Sequence, residues 1–406
     1  MWRIISLLFS GYLVSQVALV QGAIVKGRAF DRFISIWLEN QDFAKVIEDA
    51  DFAELKKHGI SQTRYYAQTH PSQPNYLASV AGDYFGLNHD EVVRVPKNVS
   101  TVVDLLEDKN ISWGGYFEGN PGPGYMAAGS YAADGSGTWD YVRKHKLVSI
   151  VQLWAMFRIR VYANIDRTSH FVSFDSINKD GSRLAKLLSF EDFKRELAAG
   201  TLPQFIMMSP DMLNDGHNTT LSYATNWAHE FLLPLLADDA FAEPTVIQLT
   251  YDESEDYGKP NQIVSLLLGN GIPKDKKGTE DNDFYTHYSV LATTQNNWSL
   301  SNLGRYDVGA NVFKFVAGVT GYANKDPENA GSVDNSISYA GYLNNESNAQ
   351  AEIPSPNLKL TGAGGQPILE HIRKAWQADE FKKTPYDDSG KVFDGDKNVP
   401  EYKLQE

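Results

Sequence analysis

The sequence predicts an α/β protein, a three-layer α/β/α sandwich around a mostly parallel central sheet. Short apolar and β-branched runs alternate along the chain with helical patterns. Several of those runs are apolar at successive positions rather than at every second one, as strands covered on both faces require. A third observation places the site: polar clusters follow three of the runs directly, and in open α/β sheets ligands bind outside the carboxyl ends of the strands.

In chain order, the first strand is expected over 33–38, with Glu39-Asn40 at its exit. A helix follows over 44–57. The run Thr69-His70-Pro71-Ser72-Gln73-Pro74-Asn75-Tyr76-Leu77 leads into a helical pattern over 75–81. Proline suits a first helical turn, where its missing N–H costs nothing. A helix starting there aims backbone N–H groups and a partial positive charge at whatever Ser72 holds, although an ordinary N-cap serine reads the same way. A helix over 101–107 and strands over 113–117 and 171–174 come next, then a helix over 190–197 and a strand over 204–208. After that strand stand Pro210-Asp211 and Asp215-Gly216-His217. A helix over 224–233 precedes the strand 245–249, which exits into Tyr251-Asp252-Glu253. The run Val290-Leu291-Ala292 reads as one more strand, just after His287. No repeat or low-complexity tract interrupts the pattern. Residues 23–406 are expected to form one domain, with 326–406, richer in polar residues, proline and glycine, as a peripheral segment.

Composition bounds the function. The 406 residues are 42% hydrophobic and 22% charged, enough apolar material for a large core. The net charge of −14 argues against nucleic acid as a partner, and leaves a phosphate substrate in need of a local positive centre. Residues 1–22 carry a single charge, Arg3, ahead of an interrupted apolar stretch ending in small residues. That reads as a cleaved secretory signal, too short and broken for a membrane span, so no stable membrane insertion is expected. Five N-x-S/T triplets, at Asn98, Asn110, Asn218, Asn297 and Asn345, agree with export and glycosylation. There is no cysteine, so an exported chain must rely on its core, metal and glycans. Composition says nothing of the oligomeric state.

The candidate chemistry follows from residue types. Glu39, Asn40, Asp252 and Glu253 offer hard oxygen ligands suited to a divalent metal ion, although acidic residues also begin loops and cap helices. Asp215-Gly216-His217 has turn composition, and His217 is a candidate general acid or ligand. His287 is a candidate second histidine, or a structural one. His70, two residues from Ser72, is a candidate for orienting that loop, and Glu118 at the end of the 113–117 strand for lining the same cleft. Dinucleotide, P-loop and nucleophile-elbow signatures are absent.

Taken as an ordered set, Trp37-Leu38-Glu39-Asn40, His70-Pro71-Ser72-Gln73-Pro74-Asn75-Tyr76, Asn214-Asp215-Gly216-His217, Tyr251-Asp252-Glu253 and His287-Tyr288-Ser289 resemble the phosphoesterase family, its fungal secreted acid phosphatases above all. The resemblance runs from about Phe33 to Asp307 and implies an alkaline-phosphatase-like fold. It implies Ser72 as the nucleophile that becomes phosphorylated, and Glu39, Asn40, Asp252 and Glu253 as metal ligands. It also implies that Asn75 touches a phosphate oxygen, with Asp215 and His217 completing the pocket. The substrates are then small phosphate monoesters. A phosphodiesterase or phospholipase C with the same serine and metal is the first alternative, and an inactive secreted binding protein on the same scaffold the second. Two departures stand out. Gln295 takes the place of a family glutamate before Asn297-Trp298, and residues 147–170 separate Arg143-Lys144-His145 from Phe174-Asp175-Ser176. That largely apolar insertion is expected to be translated intron sequence, or else a flap beside the site.

Overall fold

A computed structural model describes residues 23–125, 129–131, 139–142, 171–237, 239–331, 333, 335, 338–339, 341–345, 352–380 and 382–392. The expected leader over 1–22 and the insertion over 147–170 lie outside the described residues.

Ten strands are described: β1 Arg32–Leu38, β2 Ile60–Tyr66, β3 Trp113–Phe117, β4 Gly129–Tyr131, β5 Trp139–Val142, β6 Leu187–Ser189, β7 Phe205–Ser209, β8 Thr245–Tyr251, β9 Gln262–Leu268 and β10 Thr279–Thr286. Eight of them form one sheet in the order β10-β2-β9-β8-β1-β7-β3-β6, and β4 pairs with β5 separately. All pairings in the large sheet are parallel except those of β9 with β2 and β8. Every residue of β1, β3 and β8 is buried, so the sheet is the middle layer of a three-layer α/β/α sandwich.

This topology gathers the exits of distant strands at one edge. β1 lies between β7 and β8, parallel to both. Because β9 runs antiparallel to both β8 and β2, β2 points the same way as β1. The segments after β1, β2, β7 and β8 therefore emerge together.

Three expected elements differ. The helix over 44–57 is two, Phe43–Ile47 and Ala50–Lys56, because Asp49 caps the second, accepting from the N–H groups of Asp51 at 3.0 Å and Phe52 at 3.1 Å. The strand over 171–174 is a turn with a single bridge between Val95 and Phe174. Its apolar residues are buried, Phe171 lying 5.4 Å from Trp113, so the run recorded burial and not extension. Val290-Leu291-Ala292 lies in the helix Tyr288–Trp298, which is buried along its whole length and so lacks the amphipathic stripe that marks a surface helix.

The core cluster also takes in Ile368, Ile372, Trp376 and Tyr386 from the C-terminal segment. Buried Asp83, just beyond the helix Ser72–Ala81, accepts from the hydroxyls of Tyr386 (2.6 Å) and Tyr339. The Arg305 guanidinium lies 5.3 Å from the Phe85 ring and 5.4 Å from that of Tyr386. Gln295 donates to Asp307 at 2.7 Å, a bond a carboxylate at that position could not give.

The triplet at Asn297 is not a glycan site in this fold. Asn297 is fully buried, accepts from Ala29 N–H at 2.8 Å and Phe30 N–H at 3.1 Å, and donates to the Phe30 carbonyl at 2.9 Å. Asn98, Asn110, Asn218 and Asn345 are exposed. Glycopeptide mapping of the protein expressed through a secretory pathway should find Asn297 unmodified. Asn297→Ala, which strands three backbone groups, should cost about 2–4 kcal/mol in denaturant unfolding.

Candidate active site

The register of β1 on β8 sets Leu38 beside Tyr251, so the pairs Glu39-Asn40 and Asp252-Glu253 leave the sheet as neighbours. Asp252 N–H donates to the Leu38 carbonyl at 3.1 Å, and Gln41 N–H to the Glu253 carbonyl at 3.3 Å, extending the pairing past the strand ends. Glu39 N–H reaches across to the Asp215 carbonyl at 3.0 Å and ties in the loop after β7. Within that loop Gly216 has φ +98°, a backbone region that L side chains rarely adopt, and this lets His217 N–H return to Asp215 Oδ1 at 2.8 Å.

Ser72 is the first residue of its helix, with Pro71 as N-cap. Its hydroxyl donates to Glu253 Oε1 at 2.9 Å and lies 3.4 Å from Glu39 Oε2 and 3.5 Å from Asn40 Oδ1. Asn40 Nδ2 donates to the same Glu253 oxygen at 2.7 Å. The other Glu253 oxygen bonds His70 Nδ1. Tyr76, one turn along the helix, donates to Glu39 and lies 3.2 Å from Asp252 Oδ2. His217 Nδ1 lies 3.3 Å from Glu39 Oε2, its side chain 28% exposed. Seven of the expected residues, Glu39, Asn40, Ser72, Asp252, Glu253, His217 and His70, thus meet in one cluster.

The helix terminus offers less than the sequence suggests. Gln73 N–H is taken by Asp90 Oδ1 at 3.0 Å and Pro74 has none to give.

Four expected residues serve the site from behind. Asn75 does not reach toward a phosphate. Its Oδ1 accepts from Gln68 N–H at 2.8 Å and Thr69 N–H at 3.3 Å, and its Nδ2 donates to the Thr69 carbonyl at 2.8 Å, so the amide is consumed in shaping the Ser72 loop. His287 is fully buried. Its Nε2 meets the Asp252 carbonyl oxygen at 2.8 Å and its ring lies 4.5 Å from Trp37, which makes it a positioning residue rather than a catalytic one. Glu118 accepts from Asp211 N–H at 3.1 Å and Asn214 Nδ2 at 2.8 Å, bracing the loop after β7. Asp215, almost wholly buried, holds His217 through the bond given above. Sequence reasoning missed Tyr76, Asn261 and Tyr257. Asn261 donates to the Thr69 carbonyl at 2.9 Å and accepts from Ser254 N–H at 2.8 Å, and Tyr257 stacks on His70 with ring centroids 3.8 Å apart. Of these, only Tyr76 carried a signal, its place one helical turn after Ser72.

Electrostatically the cluster is strained toward the acid form. Burial, with Glu39 and Glu253 alongside, pushes the Asp252 carboxyl well above the usual carboxylate range. Burial and Glu39 do the same to Asp215. Burial and the neighbouring carboxylates push the Tyr76 hydroxyl up. The donor chemistry fits a divalent cation: Glu39, Asn40, Asp252 and Glu253 present hard oxygens, and a dication would relieve their mutual repulsion. In their present rotamers these oxygens accept from Ser72, Tyr76, Asn40 and His70, and among the described residues no three His, Asp or Glu side chains converge in ready-made coordination geometry.

Burial holds the His287 imidazole down at about 3. The unfolded chain then takes up a proton below about 6.5 that the folded protein refuses until about 3. This contribution to stability is complete above that upper value and is lost as pH falls through the window. Urea unfolding of wild type and His287→Gln at pH 7 and pH 4 should show the wild type losing as much as ~3 kcal/mol more than the variant. Equal losses would mean that His287 titrates normally.

Comparison with known proteins places the chain in a family. The sequence model of the Phosphoesterase family matches residues 48–301, beginning downstream of Glu39-Asn40. A probable acid phosphatase from Kluyveromyces lactis is 41% identical over 359 residues, 88% of this chain and 78% of that protein. A phosphate-repressible acid phosphatase from Penicillium chrysogenum is 38% identical over 368 residues, 89% of this chain and 82% of that protein. Among solved structures, a protein in the alkaline phosphatase superfamily from Vibrio parahaemolyticus aligns with a TM-score of 0.37 and 12% identity, covering 65% of each chain. With a family match over more than half its length and relatives this similar along most of it, the chain belongs to the phosphoesterase family.

Proposed function

We propose that the chain is a secreted, glycosylated acid phosphatase that hydrolyses phosphate monoesters through a phosphoserine at Ser72. One observation carries the reading: Ser72 Oγ begins a helix and lies 2.9 Å from a buried carboxylate, Glu253, which is placed to take its proton. The relatives named as acid phosphatases support that substrate class, and the name of the phosphate-repressible one is consistent with phosphate scavenging. Among the described residues no helix is long and apolar enough to cross a membrane.

Ser72 Oγ attacks phosphorus and passes its proton to Glu253. The bond from phosphorus to the ester oxygen breaks, and His217, tied at Nδ1 to Glu39 and partly exposed, protonates the departing alkoxide. Water then attacks the phosphoserine, the Ser72 oxygen recovers a proton, and inorganic phosphate leaves. Asn40 holds Glu253 through its 2.7 Å bond, and Tyr76 holds Glu39. Glu39, Asn40, Asp252 and Glu253 would hold a divalent cation, which when bound would supply positive charge toward the phosphoryl oxygens and lower the pKa of the attacking hydroxyl. Asn75 and His287 fix the frame and touch no reacting atom.

The reading is tested with p-nitrophenyl phosphate and bis(p-nitrophenyl) phosphate on the purified protein. Wild type should prefer the monoester, and Ser72→Ala should lose roughly 10³-fold or more in kcat while keeping its melting temperature. Preference for the diester would move the chain to the phosphodiesterase reading. Activity untouched by Ser72→Ala would contradict the nucleophile. Dialysis against a chelator should remove activity, and re-addition of a divalent cation should restore it.

A further inference from the structure

We infer that the exposed face of Tyr257 is a stacking platform for the leaving group, so that the enzyme selects phosphate monoesters of planar aromatic alcohols. The inference rests on the phosphatase reading above and deepens it.

The string of contacts from the nucleophile is short. Ser72 Oγ meets Glu253, Glu253 meets His70 Nδ1, and the His70 ring stacks on Tyr257 at 3.8 Å and 24°. The inner end of this string is closed, because Glu39, Asp252 and Glu253 are all at most 1% exposed. A leaving group must therefore depart toward solvent. His217 and Tyr257, the latter 51% exposed, face that way, and Asn40 is half-buried between the buried carboxylates and solvent-facing groups. His217 has its part in protonating the ester oxygen. Tyr257 has one ring face on His70, and its exposure leaves the other to solvent. That aromatic surface lies beside the polar cluster, packed on His70 and open to a flat group leaving toward solvent.

The ring is held firmly enough to select shape. Its loop is pinned at Asn261, which bonds Thr69 in the nucleophile loop, and at Asp256, whose N–H donates to Asp42 Oδ1 at 2.9 Å. Gly258 N–H returns to Asp256 Oδ1 at 2.8 Å, closing the turn that carries Tyr257. A platform already ordered by its own loop loses little entropy when a ligand stacks on it. Burial and the carboxylates of Glu253, Asp252 and Glu39 push the Tyr257 hydroxyl up, so the ring stays a neutral phenol.

The test separates stacking from leaving-group chemistry by comparing benzyl phosphate with cyclohexylmethyl phosphate, alcohols of similar size and acidity that differ in flatness. Wild type should favour the benzyl ester in kcat/KM by roughly three- to ten-fold. Tyr257→Phe should keep that ratio and Tyr257→Leu should bring it close to one, with melting temperatures confirming that each variant is folded and p-nitrophenyl phosphate serving as the activity control for wild type. An active wild type whose ratio is the same in Tyr257→Leu overturns the platform and leaves the phosphatase reading standing. A wild type inert on all three monoesters overturns the phosphatase reading and the platform with it.

Discussion

Three carboxylates buried side by side at the ends of two adjacent parallel strands are the constraint on which the rest of this structure depends. The pairing of β1 with β8 forces Glu39 and Asp252-Glu253 together, and Ser72, Tyr76 and two histidines close over them. Like charges buried in a protein interior cost free energy unless they are protonated, hydrogen-bonded or bound to a cation. The raised carboxyl of Asp252 records that cost. A fold shaped only for stability would not gather such groups, and their concentration at one edge of the sheet marks that edge as the working end.

Around the cluster, much of the polar structure is devoted to keeping it still. Asn75 and Asn261 both bond the Thr69 carbonyl, from the helix side and from the β8–β9 loop, and so hold the segment leading to Ser72 from two directions. His287 fixes the Asp252 backbone, and Glu118 fixes the loop that bears His217. At the far end of the helix that begins with Ser72, Asp83 anchors Tyr339 and Tyr386 from the C-terminal segment. Groups held in this way need no reorganisation when charge develops, which is the main contribution a protein makes to phosphoryl transfer.

Much of this was legible in the sequence, for definite reasons. The runs at 33–38, 113–117, 204–208 and 245–249 are apolar because the sheet is covered on both faces, and the polar pairs behind them stand out against that background. The strands β2 and β10 escaped notice because their side chains mix polar with apolar, whereas β9 was missed although it is as apolar as β1. A chain of hydrogen bonds from Trp37 through Ser35, Gln248 and Ser265 to Gln62 crosses the interior of the sheet and breaks the apolar pattern there. Spacing also cannot say which polar atoms a loop uses up. That is why Asn75 and His287 read as functional groups, and why buried Asn297 read as a glycan site. Tyr257 is one tyrosine in an acidic turn until the turn is folded onto His70.

The central claim is that Ser72 is the atom that accepts the phosphoryl group. Acid quenching of the enzyme during turnover of a phosphate monoester, followed by peptide mapping in a mass spectrometer, tests it most directly. A phosphoryl group on Ser72, absent from unreacted enzyme, is the predicted result. Turnover at full rate with no phosphoserine trapped, and with product oxygen drawn in a single step from solvent water, would contradict the account.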